Sequence, residues 1–480
     1  MAIKQQQMYI EGEFVQNTSD KWIEVLNPST EEVISRVPDA SVDDVRRAID
    51  AAERAQQAWE DTPAYERGVW LHKIAAGIRD REQELTDIIV AEGGKTQGLA
   101  NTEVLFTADY LDYMAEWARR YEGEIIQSDR RDENIFVFKK AIGVTTGILP
   151  WNFPFFLVAR KAAPALITGN TIVVKPSQLT PNNAVAFAEI VHQVGLPKGV
   201  FNLVTGRGSV VGNELAGNPK VGMVSLTGSV AAGEQTMTAA AKNITKVSLE
   251  LGGKAPAIVM ADADLDLAVK AIVDSRVINS GQVCNCAERV YVQDSIKDEF
   301  IKRLTTAFNG VKYGNPANEK ALDMGPLIDA NSLEAVQSKV DKAVSQGATV
   351  AVGGKRAEGK GYFFQPTLLV NVRQDMDIMH EETFGPVLPV TTFSTLDEAV
   401  AMANDCEFGL TSSIYTNDLN TAMSAMKKLK FGETYINREN FEAMQGFHAG
   451  WRKSGIGGAD GRHGLEEYLQ THVVYLQYKS

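Results

Sequence analysis

Short apolar strands alternate with helical segments from Val144 onward, and this alternation limits the fold more than any other feature of the chain. Five predicted strands precede residue 253: Val144–Leu149, Thr171–Val174, Val200–Val204, Met223–Leu226 and Val247–Leu251. Most of them are separated by stretches with helical periodicity. Such alternation favours an α/β fold with a mostly parallel sheet that is covered on both faces. A second α/β run follows, from Ala257 to about Phe431.

The N-terminal part is predicted to be mainly helical. Ser41 and Asp44 have the spacing of a capping box at a helix start, and further helical stretches cover roughly 67–95 and 101–120. Two predicted strands, Ile135–Phe138 and His472–Leu476, lie outside both α/β runs. Each needs a partner edge, which another subunit could supply.

Bulk composition limits the kinds of partner. The 480 residues contain 48 Lys and Arg against 61 Asp and Glu, a net charge of -13. Nucleic acids and anionic membranes both require a basic face, so neither is expected to be the main partner. The longest uncharged stretch, 141–159, has the length of a membrane span, but Pro150 and Pro154 interrupt it. It is therefore predicted to be a buried strand, a loop and a helix start.

The cysteines and the N-terminus indicate a cytoplasmic protein. There are three cysteines, Cys284, Cys286 and Cys406, and such a sparse, odd set suits a reducing compartment. The first residues lack the apolar core of a signal peptide.

Three segments carry groups suited to chemistry on a carbonyl. Cys284 follows Gly281-Gln282-Val283, and a cysteine attacks as its thiolate when its surroundings are electropositive. Glu250 ends an apolar strand before two glycines, where burial would raise its pKa and suit it to general-base work. Asn152 lies between Pro150 and Pro154, so its amide could donate to an oxyanion from a fixed position. Each also has a structural alternative: a buried thiol, a salt-bridged strand end and a rigid loop.

Two further strand ends carry polar groups, and the second of them has the features of a phosphate site. The strand through Val174 ends in Lys175, Pro176 and Ser177, and another runs into Thr227, Gly228 and Ser229 before a helix. A glycine turn at a helix N-terminus offers backbone N–H groups to a phosphate. The glycine-rich segment 206–212 is one residue too long for the usual dinucleotide fingerprint.

Together and in this order, these motifs resemble the aldehyde dehydrogenase superfamily. Gly-Gln-x-Cys, Glu-Leu-Gly-Gly-Lys, Pro-Trp-Asn-Phe-Pro and Glu-x-Phe-Gly-Pro, the last at 382–386, all match, and the likeness extends from Asn27 to the C-terminal strand. Segments 121–126, 435–440 and 446–451 resemble bacterial members that act on short 2-hydroxyaldehydes such as lactaldehyde and glycolaldehyde.

The resemblance implies an architecture. A Rossmann-type cofactor domain is expected over 1–120 and 141–252, an α/β catalytic domain over 253–452, and a small β oligomerisation arm over 121–140 and 463–480. A homo-oligomer, tetramer or dimer, is expected.

The resemblance also implies a mechanism. Cys284 attacks the aldehyde, Asn152 and the Cys284 N–H hold the oxyanion, a nicotinamide takes the hydride, and Glu250 activates the water that hydrolyses the thioester. No metal is expected. Cys286 is interpreted as packing or a redox-sensitive neighbour, and Cys406 as part of the core.

The resemblance implies a set of cofactor-binding residues. They are Trp151, Lys175, Ser177, Gln178, Gly208, Thr227, Gly228, Ser229, Glu382 and Phe384. Many NAD-preferring members carry Glu at the position of Gln178. A carboxylate there repels a 2′-phosphate, whereas Gln178 has no charge. NAD is therefore the expected cofactor, with NADP tolerated.

Polar residues fall where many relatives have apolar groups in the substrate funnel. These are Arg160, Asn285 and His448, with Glu442 a weaker candidate on the same loop. They favour a short aldehyde that carries a hydroxyl beside its carbonyl. Alternatively, Arg160 forms a structural ion pair, Asn285 caps a helix and His448 is a core histidine.

Other functions stay open at this stage. The chain could oxidise another short aldehyde or a semialdehyde, or transfer the acyl group to coenzyme A, although Glu250 favours water as the acceptor. A thiol hydrolase built on Cys284 and a histidine is a further alternative, but none of the six histidines stands in a motif beside a nucleophile. A catalytically silent scaffold is disfavoured because Cys284, Glu250 and Asn152 occur together.

Overall fold

The computed structural model describes residues 3–479. In that range the strands are β1 (Lys4–Gln5), β2 (Met8–Ile10), β3 (Glu13–Val15), β4 (Trp22–Asn27), β5 (Glu32–Pro38), β6 (Glu124–Gln127), β7 (Glu133–Ala141), β8 (Val144–Ile148), β9 (Thr171–Lys175), β10 (Phe201–Leu203), β11 (Val221–Thr227), β12 (Lys246–Glu250), β13 (Ala255–Val259), β14 (Ala287–Gln293), β15 (Thr349–Val352), β16 (Thr367–Val370), β17 (Val387–Phe393), β18 (Thr411–Tyr415), β19 (Glu433–Ile436), β20 (Gly455–Ile456) and β21 (Leu469–Gln477). The α-helices are α1 (Val42–Asp61), α2 (Ala64–Asp80), α3 (Glu82–Gly93), α4 (Gln97–Ala115), α5 (Pro154–Ile167), α6 (Asn182–Gln193), α7 (Asn213–Gly217), α8 (Val230–Ala241), α9 (Leu265–Val277), α10 (Lys297–Gly310), α11 (Ala330–Ser345), α12 (Leu396–Asn404), α13 (Leu419–Lys428) and α14 (Gly461–Glu466).

The five predicted strands all form and lie in one eight-stranded sheet. Its order is β20-β12-β11-β8-β9-β10-β2-β3, with parallel pairing from β12 to β10 and antiparallel strands at both edges. Thr227 pairs with Glu250, and Ile148 pairs with Lys175, so the carboxyl ends of these strands meet at one edge. Ligands of open α/β sheets bind beyond such an edge.

The second α/β run forms its own seven-stranded sheet, in the order β15-β16-β17-β14-β13-β18-β19. All neighbours in this sheet pair in parallel except β15 and β16. The α/β fold class expected from the alternation is confirmed. A short three-stranded sheet, β1-β5-β4, lies in the N-terminal segment.

The two strands outside the α/β runs find their partners within this chain. β21 pairs with β7 over nine residues, from Leu469 opposite Ala141 to Gln477 opposite Glu133, and β6 adds to the other side of β7. Another subunit is therefore not needed to supply that pairing. Ile125 and Tyr475 on the outer strands remain 75% and 67% exposed.

Two helices follow closely from local sequence. At the start of α1 the Ser41 hydroxyl accepts the Asp44 N–H and Asp44 accepts the Ser41 N–H, which is the predicted capping box. The uncharged stretch becomes β8, a loop and the start of α5, as predicted. No helix among residues 3–479 combines the length and apolarity that crossing a bilayer requires.

The α5 helix is buried along its whole length, and it carries two charged residues into the interior. Arg160 and Lys161 are only 4% and 1% exposed. Because an unpaired buried charge is costly, both side chains require anionic partners nearby.

Candidate active site

Cys284 lies where two cavities meet. The wall of the first, here called the apolar cavity, includes Phe106, Phe156, Arg160, Asn285, Glu442 and His448. The wall of the second, here called the strand-end cavity, includes Trp151, Gly228, Ser229, Glu250, Glu382 and Phe384. Cys284, Asn152 and Thr227 line both cavities. A thiol at this junction can react with a molecule in one cavity while another occupies the second.

A tightly held loop presents Cys284. The preceding turn, Ile278–Gly281, contains Asn279 and Ser280 at positive φ, and the buried Arg276 guanidinium donates to the Gly281 carbonyl at 2.9 Å. Cys284 is half-buried, and it does not begin a helix.

The other two cysteines differ from Cys284. The Cys286 thiol donates to the Val283 carbonyl at 3.0 Å, and burial raises its pKa to about 12. This supports a packing role. Cys406 is only partly buried and packs against the core of the second sheet instead of lying within it, so the prediction that it belongs to the core was wrong.

Asn152 is linked to the same loop. Its Nδ2 donates to the Gln282 carbonyl at 3.0 Å, and the Asn279 Nδ2 donates to the Asn152 carbonyl at 3.3 Å. The predicted amide donor and the predicted nucleophile therefore belong to one hydrogen-bonded unit, although their positions are far apart in the chain.

Glu250 is paired with a cation that the motif analysis did not use. The Lys161 Nζ lies 2.7 Å from Glu250 Oε2, and the Thr227 hydroxyl donates to the same oxygen at 2.5 Å. Burial by itself raises the pKa of Glu250, but Lys161, Arg160 and His448 outweigh it and lower that pKa to about 2. The expectation of a raised pKa was wrong because the neighbouring charges dominate. Glu250 Oε1 has no hydrogen-bond partner among residues 3–479.

The polar residues predicted for substrate binding do meet in the apolar cavity. Arg160 donates to both oxygens of the buried Asp460 carboxylate, through Nε at 2.9 Å and through Nη2 in a shorter contact. Its Nη2 also reaches Glu442 at 3.2 Å, and Asn285 donates to the other Glu442 oxygen. Arg160 is thus both an ion-pair member and a cavity wall. Asn285 precedes a strand and caps no helix.

His448 is buried and paired, and it also lines the apolar cavity. Its Nδ1 lies 2.5 Å from Glu433 Oε1. Burial lowers the pKa of His448, but the nearby Glu433 carboxylate outweighs this and the pKa stands well above its usual range. This raised pKa favours the protonated form of His448.

The strand-end cavity fits a dinucleotide. Ser229 caps the N-terminus of α8 beside Gly228, which leaves backbone N–H groups near the cavity. Glu382 accepts the Gly253 N–H at 2.8 Å, and burial together with Glu288 raises the pKa of Glu382 to about 7. Trp151 and Phe384 meet edge to face at 5.4 Å and form an apolar wall. A ribose requires a carboxylate acceptor, a phosphate requires donor groups, and an aromatic ring requires flat apolar walls. This cavity has all three.

Four predicted cofactor residues lie outside the wall of this cavity. Lys175 ends β9 and donates to the Pro176 carbonyl at 2.9 Å, and burial lowers its pKa to about 8. Ser177 accepts the Leu179 N–H, Gln178 is exposed, and Gly208 begins a short π-helical turn. Their roles stay predictions.

The sequence analysis missed several charged residues around the site. Asp460, Glu433 and Glu103 are acids that face the predicted site residues, and Lys95 pairs with Glu103. The only sequence signal is a charge inside an otherwise apolar helix, which Lys161 on α5 carries next to Arg160; α4 also contains Asp109 and Asp112, so Glu103 does not stand out there.

Comparison with known proteins agrees with this geometry. The model of the aldehyde dehydrogenase family matches residues 14–474. The chain is 72% identical to lactaldehyde dehydrogenase of Escherichia coli (strain K12), over 98% of this chain and 99% of that protein. The crystal structure of lactaldehyde dehydrogenase from Escherichia coli superposes with a TM-score of 0.99, at 71% identity over 99% of this chain and 100% of that one. A D-glyceraldehyde dehydrogenase (NADP(+)) of Picrophilus torridus is 40% identical over 98% of this chain and 96% of that protein.

Proposed function

This chain belongs to the aldehyde dehydrogenase family, and from that premise we propose that it oxidises a short 2-hydroxyaldehyde to the carboxylate through a thioester on Cys284. It is an NAD(P)-dependent oxidoreductase. Lactaldehyde is the proposed substrate because the chain is 72% identical to the lactaldehyde dehydrogenase of Escherichia coli. Glycolaldehyde is a second candidate of the same chemical type. The observation that carries the proposal is the position of Cys284 on the walls of both cavities.

In the first step the Cys284 sulfur forms a bond to the aldehyde carbon. The carbonyl oxygen becomes an anion, which accepts hydrogen bonds from the Asn152 Nδ2 and from the Cys284 backbone N–H. The Asn152 amide lies on both cavity walls, which supports this role. A nicotinamide held in the strand-end cavity would supply the acceptor for a hydride, and loss of that hydride from the former aldehyde carbon leaves a thioester on Cys284.

In the second step a water oxygen bonds to the thioester carbon and the carbon–sulfur bond breaks. Glu250 takes one proton from that water, and Cys284 returns as the thiolate. The acid product gives its remaining carboxyl proton to solvent and leaves as the carboxylate. A carboxylate with a pKa of about 2 is a weak base. The contact with Lys161 therefore limits how basic Glu250 is.

The polar end of the apolar cavity supports a substrate with a hydroxyl next to its carbonyl. Glu442 offers acceptor oxygens, whereas Asn285 and protonated His448 offer donors. Much of the rest of the wall is apolar, and it includes phenylalanines such as Phe106 and Phe156. A small molecule with one polar substituent matches this division.

For the cofactor we propose NAD, with NADP also accepted. Gln178 is exposed and uncharged, so it does not repel a 2′-phosphate. The 40% identical relative of Picrophilus torridus is NADP(+)-dependent, which supports this tolerance.

We further propose a homo-oligomer in the cytoplasm. The exposed apolar residues on β6 and β21 support association, and the three free cysteines support a reducing compartment.

One assay separates this proposal from the alternatives. Protein, NAD or NADP and a panel of short aldehydes are mixed, and NAD(P)H absorbance is recorded. The proposal predicts the highest kcat/KM for a 2-hydroxyaldehyde. A higher value for a simple alkanal or a semialdehyde contradicts the substrate class. A thiol hydrolase would release product from an ester without nicotinamide, and a silent scaffold would do neither.

A further inference from the structure

We propose that the buried ion pair of Lys95 and Glu103 positions Asn152 for oxyanion binding. The inference rests on the proposed function, because it assumes that Asn152 holds the oxyanion. Both charged residues act through the loop that carries Asn152, so they are positioning residues.

Glu103 provides the N-terminal cap of α5 from another helix. Its Oε1 accepts the N–H groups of Phe155 at 2.9 Å and Phe156 at 3.1 Å. The local cap residue, Phe153, has no side-chain acceptor and makes no capping hydrogen bond. α5 therefore begins where Glu103 holds it, two residues after Asn152.

Lys95 extends the same support to the residue beside Asn152. Its Nζ pairs with Glu103 Oε2 and lies 3.6 Å from the centroid of the Phe153 ring. The side chains of Lys95 and Glu103 are 1% and 0% exposed. The pair thus fixes Phe153 from one side and the first helical N–H groups from the other.

This arrangement leaves the Asn152 amide available. An Asn at the start of a helix commonly uses its side chain to cap the helix. Here the carboxylate of Glu103 takes that task, and the Asn152 Nδ2 faces Gln282 and the cavities instead. Glu103 and Phe153 also line the apolar cavity, so the pair lies directly behind the reacting groups.

The test compares two variants that both remove the buried charges. Lys95→Met/Glu103→Leu removes the acceptor, whereas Lys95→Met/Glu103→Gln keeps one. The rate of NADH formation is measured in a single turnover at saturating NAD and aldehyde. The Leu variant is expected to lose on the order of tenfold in this rate, and the Gln variant to recover most of it. If packing alone mattered, the two variants would lose equally, and that result overturns the proposal.

A double-mutant cycle with Asn152→Ala shows whether the effect passes through Asn152. If it does, adding Lys95→Met/Glu103→Leu to Asn152→Ala causes no further loss. If Lys95→Met/Glu103→Leu lowers the single-turnover rate tenfold both in the native protein and in Asn152→Ala, the inference is overturned. Should Asn152→Ala itself leave the rate unchanged, the oxyanion role of Asn152 fails and the inference is overturned. The proposed function fails separately, if the native protein forms no NADH from any aldehyde.

Glu92→Gln is a matched control. Glu92 is also a buried carboxylate that accepts two N–H groups at a helix start, those of Asn182 and Asn183 on α6, at 2.8 Å and 2.9 Å. The single-turnover rate of Glu92→Gln is expected to stay within about twofold of the native rate.

If Lys95→Met/Glu103→Leu does not fold, Glu103→Asp is used instead. Its shorter side chain keeps the negative charge but moves the carboxylate away from the N–H groups at the start of α5. An unchanged rate in Glu103→Asp overturns the proposal.

Discussion

The Lys161 ammonium lies 2.7 Å from the Glu250 carboxylate, and both side chains are almost completely buried. This contact joins the middle of α5 to the end of β12. It keeps Glu250 ionised, with a pKa of about 2, and so determines how the proposed base behaves with pH.

Replacing Lys161 by Met should move the pH profile of turnover. Without the cation the ionised form of Glu250 loses its main support, so its pKa rises and the ascending limb of kcat against pH shifts to higher pH. Lys161→Arg keeps the charge and should keep the limb near its native position. An unchanged limb in Lys161→Met would show that Glu250 is not the group that titrates.

The same contact affects stability. The folded pKa of Glu250 is below its ordinary value near 4.3, so its ionisation stabilises the fold above about pH 4.3 and that contribution is lost as the pH falls toward 2.

Turnover should depend on Cys284 but not on its neighbour Cys286. Cys284→Ala is expected to abolish NADH formation because the nucleophile is lost. Cys286→Ala should keep turnover within severalfold, since that thiol is buried and has a pKa of about 12. Steady-state assays of both variants, with circular dichroism to verify folding, are the measurement. Activity retained in Cys284→Ala would refute the thioester.

Arg160→Ala should raise KM for a 2-hydroxyaldehyde more than for a simple alkanal. The guanidinium holds Glu442 in the apolar cavity, and its removal frees the groups that contact the hydroxyl. Asp460→Asn should act in the same direction but more weakly, because one oxygen still accepts from Arg160. Equal effects on both aldehydes would remove Arg160 from substrate recognition.

Gln178→Glu should sharpen the choice of cofactor. A new carboxylate near the ribose repels a 2′-phosphate and is expected to lower kcat/KM for NADP on the order of tenfold, about 1.4 kcal/mol. The value for NAD should hold or rise. A strong NAD preference already present in the native enzyme would contradict the predicted tolerance.

Gly252→Ala should weaken cofactor binding without unfolding the protein. A methyl group at Gly252 would lie 2.6 Å from a Glu382 carboxylate oxygen, so that carboxylate must move. KM for NAD is expected to rise severalfold. The control is Gly98→Ala on α4, where an added Cβ meets nothing within 4 Å. The same KM in both variants would exclude Glu382 from the cofactor site.

Much of this molecule follows from sequence because its determinants are local. The strands before residue 253 read as apolar runs, and the capping box at Ser41 and the break at Pro154 set helix starts. The motifs around Asn152 and Cys284 were identifiable through a family resemblance, and the structure brings these residues together.

The charges around the site could not be predicted in the same way. Whether Glu250 has a raised or a lowered pKa depends on Lys161 and Arg160, which approach from a different element. Asp460 lies 300 residues from Arg160, and no spacing rule links them. Electrostatic balance among buried groups arises only from tertiary packing.

Because Cys284 lies between two cavities, different sets of residues in this protein can evolve independently on its two sides. Side chains such as His448 and Asn285 border only the apolar side, and Glu382 and Phe384 border only the other. Mutations on the apolar side can therefore change which carbonyl compound is accepted without changing the site for the redox cofactor. Mutations on the other side can likewise change the cofactor site without changing the choice of carbonyl compound. The shared wall residues Asn152, Thr227 and Cys284, together with the proposed base Glu250, must be kept in both kinds of adaptation.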